Sequence, residues 1–309
     1  MVGWMAQPKA DSLPETMETK GARLSNKTCL VTGASRGLGR AIARRFWSEG
    51  ASLVLPARQP ESVASLVADL PAHAEQRLVA LPLDLNDHDS VTSLVPRAMA
   101  RGVDALAVLV NNAAVLGPIG RVWENDGDEW TAAVTVDLIS PALLCGAVVP
   151  WMARGPGGRI INLSGGGATG PRPRFSAYAA AKAGLVRFSE ILAEEVKELG
   201  ITVNCVSPGV MATDMLAAVQ RAGAQAAGEK EVGTAQKALE DGDRSMQAAV
   251  DLITFLASDA SAGITGKLIS AVWDKWDEFP QHAAELSSSD VFTLRRIAGR
   301  DRGLAWCDK

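Results

Sequence analysis

The amino-acid sequence predicts an α/β fold: a doubly wound parallel sheet of seven strands, arranged in three layers with helices on both faces. Short apolar runs alternate with longer helical stretches along most of the 309 residues. The runs are nearly continuous in Val, Leu and Ile, which is typical of strands buried on both faces. Right-handed crossovers join parallel strands of this kind, so helices are expected on both sides of the sheet.

The predicted strands and helices follow one another in order along the chain. The first helix carries Leu38 and Ile42 on one apolar stripe and is predicted to end at Gly50. A later helix begins near Tyr178 and is predicted to end at Gly200, because glycine commonly terminates helices. Seven strands are predicted, at residues 27–32, 52–57, 77–83, 105–110, 159–163, 201–207 and 267–272.

Composition divides the chain into further parts. Residues 1–24 mix charged and small polar residues and predict a flexible arm, which leaves 25–272 as a single domain. Residues 211–246 are rich in Ala, Gly, Gln and Glu and predict a helical, mobile flap over a binding site. The tail at 273–309 contains three tryptophans and a helical pattern at 291–297, and we expect it to pack on the domain or on a neighbouring subunit.

Charge and cysteine content narrow the class of protein. The formal net charge is −4 and no basic block is present, which argues against a nucleic-acid surface. No uncharged apolar run reaches the roughly 18 residues of a membrane helix, so no membrane partner is expected. Four widely spaced cysteines predict free thiols in a reducing compartment, hence the cytoplasm, and no metal site. These are Cys29, Cys145, Cys205 and Cys307.

Two short motifs indicate the chemistry. Residues 32–39 read Thr-Gly-x-x-x-Gly-x-Gly directly after an apolar run. Such a turn leads a strand into a helix whose free N–H groups and dipole favour a pyrophosphate. Tyr178 and Lys182 lie one helical turn apart, and a neighbouring ammonium is expected to lower the pKa of a phenol. Together the motifs predict acid–base chemistry beside a nicotinamide.

Three further segments complete a family pattern. Asp84-Leu85, Asn111-Asn112-Ala113-Ala114 and Pro208-Gly209-x-x-x-Thr213 follow in sequence order. With the two motifs above, the chain resembles the short-chain dehydrogenase/reductase family over about residues 26–270. That resemblance implies a Rossmann fold, a nicotinamide cofactor and a small carbonyl or alcohol substrate. It also implies a homodimer or homotetramer built from helices near 131–149 and 178–199.

The resemblance implies roles for individual residues. Tyr178 is the expected general acid, and Lys182 is expected to bind the nicotinamide ribose. Asp84 is expected near the adenine, although the same residue could instead cap a helix. Thr213 is expected to hold the nicotinamide carboxamide, and Asn111 to steady the central strands. The implied cofactor-binding set is Gly33, Ser35, Arg36, Gly37, Leu38, Gly39, Arg58, Asp84, Leu85, Asn111, Ala113, Tyr178, Lys182, Pro208, Gly209 and Thr213.

The end of the second strand bears on the choice of cofactor. Enzymes that prefer NAD usually place an acidic residue there for the ribose 2′-hydroxyl, and this chain has Ala57. Arg58 beside it and Arg36 in the glycine turn offer two guanidinium groups to a 2′-phosphate. NADP(H) is therefore the preferred cofactor, and NAD(H) stays possible.

The sequence departs from the family pattern at two catalytic positions. The family's serine usually lies 13 residues before the tyrosine, where this chain has Gly165, and Ser164 lies 14 before it. Either the glycine run brings the Ser164 hydroxyl to the substrate, or backbone N–H groups replace it. Asp137 stands where the family usually has asparagine; it either keeps a role in the proton relay with Lys182 or is purely structural.

The loop between Gly165 and Tyr178 contains Arg172 and Arg174, which either bind an anionic group of the substrate or belong to a stiff, solvated loop.

The expected activity is an NADP(H)-dependent interconversion of a ketone or aldehyde and an alcohol. A redox-neutral lyase, epimerase or cyclase that uses Tyr178 as acid or base is the alternative. A nucleotide sensor without turnover is a third hypothesis, which the intact Tyr178 and Lys182 disfavour.

Overall fold

The computed structural model describes residues 22–71, 75–241 and 244–304. Seven parallel strands form one sheet in the order β3-β2-β1-β4-β5-β6-β7. The predicted fold class is therefore confirmed, and no strand end lies more than three residues from its predicted position. The strands are β1 (Thr28–Val31), β2 (Ser52–Ala57), β3 (Leu78–Pro82), β4 (Val108–Asn111), β5 (Gly158–Leu163), β6 (Ile201–Ser207) and β7 (Leu268–Ser270).

Helices cover both faces of the sheet. They are α1 (Gly37–Ser48), α2 (Ala64–Asp69), α3 (His88–Thr92), α4 (Leu94–Met99), α5 (Gly127–Val134), α6 (Ser140–Met152), α7 (Ser176–Glu195), α8 (Asp214–Ala227), α9 (Glu229–Asp241), α10 (Arg244–Ala257) and α11 (Ala283–Ser288). Helices α1 and α10 bury one apolar cluster against the sheet, and α4, α6 and α7 bury another on the opposite face. The two clusters lie between the sheet and the helices on either face, so the helices and the sheet form the three predicted layers.

The strand order places the functional end of the sheet. Strand β1 pairs with β2 on one side and with β4 on the other, so the direction of winding reverses between β1 and β4. In open α/β sheets, ligands bind beyond the carboxyl ends of the strands at such a reversal. The loops after β1, β4, β5 and β6 therefore meet at the expected cofactor crevice.

Helices α5 and α6 are joined by a π-helical turn, Thr135–Ile139, into one continuous helical segment. By length and composition alone, Gly127–Met152 is apolar enough to cross a membrane. Leu144 and Val148 are fully buried in the cluster beneath α6, so this helix belongs to the layer that packs on the sheet. Burial against strands explains its apolar character.

The N-terminal boundary lies slightly earlier than predicted. Leu24 is fully buried, and its N–H donates to the carbonyl of Glu49 at 2.9 Å. Arg23 pairs with the Glu49 carboxylate at 2.6 Å. These contacts attach residues 23 and 24 to the domain, so assigning them to a flexible arm is wrong. The remaining arm, residues 1–21, lies outside the described residues.

The tail packs on its own domain. Residue Phe279 is buried in the core, and Trp276 lies 5.5 Å from the Phe255 ring of α10. Trp273, by contrast, is 85% exposed. Trp306 and Cys307 lie outside the described residues.

A helix over 291–297 is not formed, and that expectation is wrong. The segment instead runs along the open edge of β7, where the Leu268 N–H donates to the carbonyl of Phe292 at 2.7 Å. The Lys267 ammonium donates to the carbonyls of Ser289 and Val291, each at 3.0 Å. These carbonyls are satisfied by the sheet edge and by lysine, and α11 ends before them.

Candidate active site

The glycine turn after β1 is fastened to the end of β4. The Thr32 hydroxyl accepts the N–H groups of Asn112 and Ala113, each at 3.0 Å. The Asn112 amide donates back to the carbonyl of Thr32 at 2.9 Å. At Gly33, where φ is +70°, an added Cβ would lie 2.9 Å from the Cα of Ala113. Only glycine permits this close approach, which brings together the two loops on either side of the crevice.

The N-terminus of α1 fits a pyrophosphate. No side chain of the described ranges caps this helix, and the first N–H within it that donates to a carbonyl there is that of Arg40. Among the described residues, the N–H groups of Gly37, Leu38 and Gly39 therefore have no acceptor, as an anion site requires. A Cβ on Gly39 would lie 2.2 Å from the carbonyl oxygen of Gly33, so the turn admits no side chain there.

Residues after β6 close over the same turn. The Thr213 methyl lies 3.6 Å from the Cβ position of Gly37, beside the proposed phosphate site. Pro208 is buried, and Gly209 has a φ of +85°. The structure therefore brings the predicted Pro-Gly-x-x-x-Thr segment to the glycine turn.

The central strands are tied by a chain of buried polar side chains. The Asn111 amide donates to the Asn162 carbonyl oxygen at 2.8 Å. Asn162 donates to the Ser189 hydroxyl at 2.7 Å, and this hydroxyl donates to the carbonyl of Leu185 within α7. The chain links β4 and β5 to the helix that carries Tyr178, in keeping with the steadying role expected of Asn111.

Asp84 does not cap α3. Its carboxylate accepts the N–H of Asn86 at 2.9 Å in a local turn, and Asp87 accepts the first N–H groups of α3 instead. The helix-cap alternative for Asp84 is therefore wrong. Next to it, the carbonyl of Leu85 accepts the hydroxyl of Ser140 at the start of α6. Asp84 itself is exposed, and its contact with adenine stays a prediction.

The two candidate arginines for a 2′-phosphate differ in their surroundings. Arg58 is exposed at the end of β2 and makes no ion pair within the described ranges. Arg36 pairs with Asp214, at the start of α8, with 2.7 Å between the charged atoms. Both members of this pair are largely exposed, so the interaction is weak and a phosphate can compete for Arg36. Arg58 is the freer of the two.

Tyr178 and Lys182 lie on the buried face of α7. Their exposed fractions are 6% and 2%. The Lys182 Nζ atom lies 5.6 Å from the centre of the Tyr178 ring. Helical spacing thus produces the predicted pair, in a setting far drier than a surface helix.

Asp137 opposes the charge of Lys182. It lies in the π-helical turn, is fully buried, and has one carboxylate oxygen 3.6 Å from the Lys182 Nζ. The other oxygen accepts the Val115 N–H at 2.8 Å, which links the turn to the loop after β4. Burial raises the pKa of Asp137, and the charge of Lys182 opposes that rise. The oxygen that faces Lys182 makes no hydrogen bond to the residues that the structure describes.

The pKa of Tyr178 moves opposite to the sequence-based expectation. Burial raises it most and the charge of Asp137 raises it further, whereas Arg172 lowers it. The Asp137 carboxylate lies 3.6 Å from the Lys182 ammonium and carries the opposite charge, so it opposes the field of Lys182 at the phenol. In the protein alone, the phenol is therefore a weaker acid than free tyrosine.

Gly165 is in contact with the Tyr178 hydroxyl. A Cβ at residue 165 would lie 2.1 Å from that oxygen. The Ser164 hydroxyl is buried and makes no hydrogen bond to any residue that the structure describes, Tyr178 included. Among the described residues, the N–H groups of Gly165, Gly166 and Gly167 also donate to no protein acceptor. The geometry disfavours Ser164 and favours the backbone alternative.

The two arginines of the following loop bind the flap. Arg172 donates to the Glu231 carboxylate of α9 at 2.7 and 3.2 Å. Arg174 donates to the carbonyls of Gln225 and Ala226 at the end of α8. The alternative of a purely solvated loop is therefore wrong.

Within the flap predicted at 211–246, Asp214–Ala227 and Glu229–Asp241 are helical, and the apolar side of these helices packs over Tyr178. Leu216, Val219 and Ala227 of α8 form one buried cluster with Phe175 and Tyr178. Two glycines interrupt the helices: Gly223 has a φ of +69°, and Gly228, between α8 and α9, has a φ of +92°. The mobility of the flap stays a prediction.

Comparison with known proteins identifies the family. A model of the short chain dehydrogenase family matches residues 27–223. The chain belongs to the short-chain dehydrogenase/reductase family. It is 35% identical over 249 residues to the 3-oxoacyl-acyl-carrier-protein reductase FabG of Escherichia coli K12, covering 79% of this chain and 94% of that protein. The FabG protein of Chlamydia trachomatis is 31% identical over 247 residues, with 80% and 96% covered.

Solved structures of this family have the same fold. A structure described as a short-chain alcohol dehydrogenase of Sinorhizobium meliloti 1021 has a TM-score of 0.68 at 31% identity and covers 81% of this chain and 96% of that one. A short chain dehydrogenase of Escherichia coli CFT073, complexed with NADPH, has a TM-score of 0.71 at 24% identity and covers 82% and 99%. As a short-chain dehydrogenase/reductase, the protein is an oxidoreductase that acts on CH–OH and C=O groups.

Sequence reasoning missed three residues of this dehydrogenase/reductase site. Thr32 and Asn112 join the loops of the crevice, and both lie inside motifs that the sequence displays. Their position next to Gly33 and Asn111 was the available signal. Glu231 binds Arg172 from 59 residues away, and nothing in its local sequence indicates that contact.

Proposed function

We propose that the protein is an NADP(H)-dependent reductase and dehydrogenase that interconverts a ketone or aldehyde and an alcohol on a small organic substrate. The observation that carries the proposal is the buried Tyr178–Lys182 pair, at the end of the sheet where the glycine turn and the uncapped α1 also lie. When bound there, the nicotinamide supplies a hydride to a carbonyl or accepts one from an alcohol.

Tyr178 supplies the proton. Its raised pKa keeps the phenol protonated at neutral pH, which suits donation to a carbonyl oxygen as the alcohol forms. Lys182 holds the nicotinamide ribose, as it does elsewhere in the family, and Asp137 holds the Lys182 ammonium in place. The packed flap excludes water from the tyrosine.

The preference for NADP(H) rests on charge at the end of β2. Ala57 provides no carboxylate to bind a ribose 2′-hydroxyl or repel a 2′-phosphate. Arg58 is exposed and has no ion-pair partner among the described residues, so it is available to a phosphate. Ser35, Arg36 and Leu38 complete the cofactor set together with Ala113 and Leu85.

We infer the oligomer and compartment from two further features. Ile139 and Ile191, on the helices that the family uses for assembly, are 38% and 51% exposed, which supports a homodimer or homotetramer. Cys29, Cys145 and Cys205 are free and buried, which supports a reducing cytoplasm. Burial raises the pKa of Cys145 and of Cys205 to about 12, so neither is a reactive thiol.

The test follows NADPH absorbance while purified protein meets a panel of ketones, diones and carbonyl acids. Wild type is expected to consume NADPH with at least one of them. Tyr178→Phe, which lacks only the hydroxyl, is expected to bind NADPH normally and to turn over no substrate. Full activity in that variant contradicts the proposal. Substrate conversion without NADPH consumption supports the redox-neutral alternative instead.

A further inference from the structure

The proposed site lacks the hydroxyl that usually polarises the carbonyl in this family. Gly165 occupies that position, and the Tyr178 hydroxyl fills the space where a side chain would begin. The Ser164 hydroxyl is buried, has no hydrogen-bond partner in the described part of the chain, and does not replace it. The free N–H groups of Gly165, Gly166 and Gly167 are neutral donors, and a charged donor beside them would add to the stabilisation of the oxygen on which negative charge develops.

Arg172 lies next to the glycine loop that contains Gly165. Its guanidinium carbon is 4.1 Å from the centre of the Phe175 ring and 5.7 Å from that of Tyr178. Its Nη1 atom lies 3.8 Å from the Cβ position of Gly166. The guanidinium thus runs along the glycine loop that also contacts the tyrosine hydroxyl.

The flap fixes the orientation of this guanidinium. Both Nε and Nη2 of Arg172 donate to one carboxylate oxygen of Glu231, at 3.2 and 2.7 Å. Within the described residues, Nη1 donates to no acceptor. The charged side chain is mostly buried, and one end of its donor fork is left free toward the glycine loop.

The other charges near Tyr178 do not supply this donor. Lys182, on the same helix, is paired with Asp137 of the π-helical turn, 3.6 Å away. Asp137 raises the pKa of the phenol, whereas Arg172 lowers it. The Glu231 carboxylate contacts Arg172 at Nε and Nη2, away from Nη1.

We propose that Arg172 is a catalytic residue: its Nη1 group donates a hydrogen bond to the carbonyl oxygen of the substrate, as a serine hydroxyl does elsewhere in the family. The inference rests on the proposed carbonyl reduction. Hydride adds to the carbonyl carbon, the C=O π pair moves to the oxygen, and the proton of Tyr178 passes to that oxygen. Arg172 stays protonated throughout and stabilises the charge on the oxygen through a charge-assisted hydrogen bond.

The test compares Arg172→Met, Arg172→Lys and Arg174→Met. Removing one donor to a developing oxyanion costs about 10²-fold in kcat, so Arg172→Met is expected to lose roughly that factor while binding NADPH normally. Alcohol oxidation needs the phenolate form of Tyr178. In that direction the acid limb of the kcat–pH profile of Arg172→Met is expected to move to higher pH, because a cation near Tyr178 is gone. Arg172→Lys keeps the charge and loses the fork, so its kcat falls while its pH midpoint stays at the wild-type value.

Arg174→Met is the matched control, because it removes a guanidinium from the same loop whose partners are carbonyls of α8. Its pH midpoint is expected to equal that of wild type. An unchanged kcat and midpoint in Arg172→Met overturns the inference, and so does an equal shift in Arg174→Met. If Arg172→Met does not fold, a wild-type kcat in Arg172→Lys overturns it. If the wild-type protein consumes no NADPH, by contrast, the result contradicts the proposed function itself.

Discussion

Replacing Asp137 with asparagine is expected to make Tyr178 more acidic. The Asp137 carboxylate raises the pKa of the phenol and also opposes Lys182, 3.6 Å away. Asparagine removes the charge, and its carbonyl oxygen can still accept the Val115 N–H that Asp137 accepts at 2.8 Å. The substitution restores the residue that the family usually has here.

The structure sets the size of this effect. The Lys182 Nζ lies 5.6 Å from the centre of the Tyr178 ring. At an effective dielectric constant of about 20, an unopposed cation at that separation favours the phenolate by about 3 kcal/mol. Because Lys182 is present in both proteins, the substitution recovers only the part of this energy that Asp137 cancels, so the increase in the acid dissociation constant of Tyr178 is at most roughly a hundredfold.

The assay is the ultraviolet absorbance of tyrosinate against pH. Tyr178 is the only tyrosine among the 309 residues, so the signal reports this phenol alone. The midpoint of Asp137→Asn is expected to lie well below that of wild type, both with and without NADP⁺. Circular dichroism at each pH checks that the protein stays folded.

Two controls sharpen the measurement. Asp128→Asn removes an exposed carboxylate from the neighbouring helix α5 and is expected to leave the midpoint unchanged. Tyr178→Phe is expected to abolish the transition. The same change lowers the pH at which carbonyl reduction declines, because the proton-donating phenol is lost as pH rises through its pKa. A midpoint in Asp137→Asn equal to or above that of wild type would refute the reasoning.

Three further predictions follow from the site. Gly165→Ser restores the usual family residue, yet its Cβ would lie 2.1 Å from the Tyr178 oxygen. The kcat is therefore expected to fall by at least about tenfold, and a gain in kcat would contradict the geometry. Arg58→Ala is expected to raise the KM for NADPH by about tenfold or more and leave that for NADH nearly unchanged, whereas equal use of both cofactors by wild type would defeat the assignment. Asn111→Ala leaves a buried amide on β5 without its donor and is expected to lower the free energy of unfolding in urea by about 1–3 kcal/mol; a smaller change would show that water replaces the lost bond.

Local patterns in the sequence were enough to predict most of the fold. Strand positions follow from continuous apolar runs, and the end of α1 just before Gly50 follows from the backbone freedom of glycine. Helix α7 ends at Glu195, earlier than predicted, and Gly200 instead ends the short 3-10 turn that follows it. The failed helix at 291–297 shows the limit of such patterns. Its carbonyls bind Lys267 and the edge of β7, and neither partner is visible from the segment itself.

By itself, the sequence determined the family, the glycine turn and the Tyr178–Lys182 pair, because each depends on residue types at fixed short spacing. Only the tertiary structure decided which other charges surround that pair. Asp137 meets Lys182 from 45 residues away, and Glu231 meets Arg172 from 59 residues away. The pKa of a buried phenol depends on the water it loses and on the distances to all nearby charges, and both quantities exist only after the chain has folded.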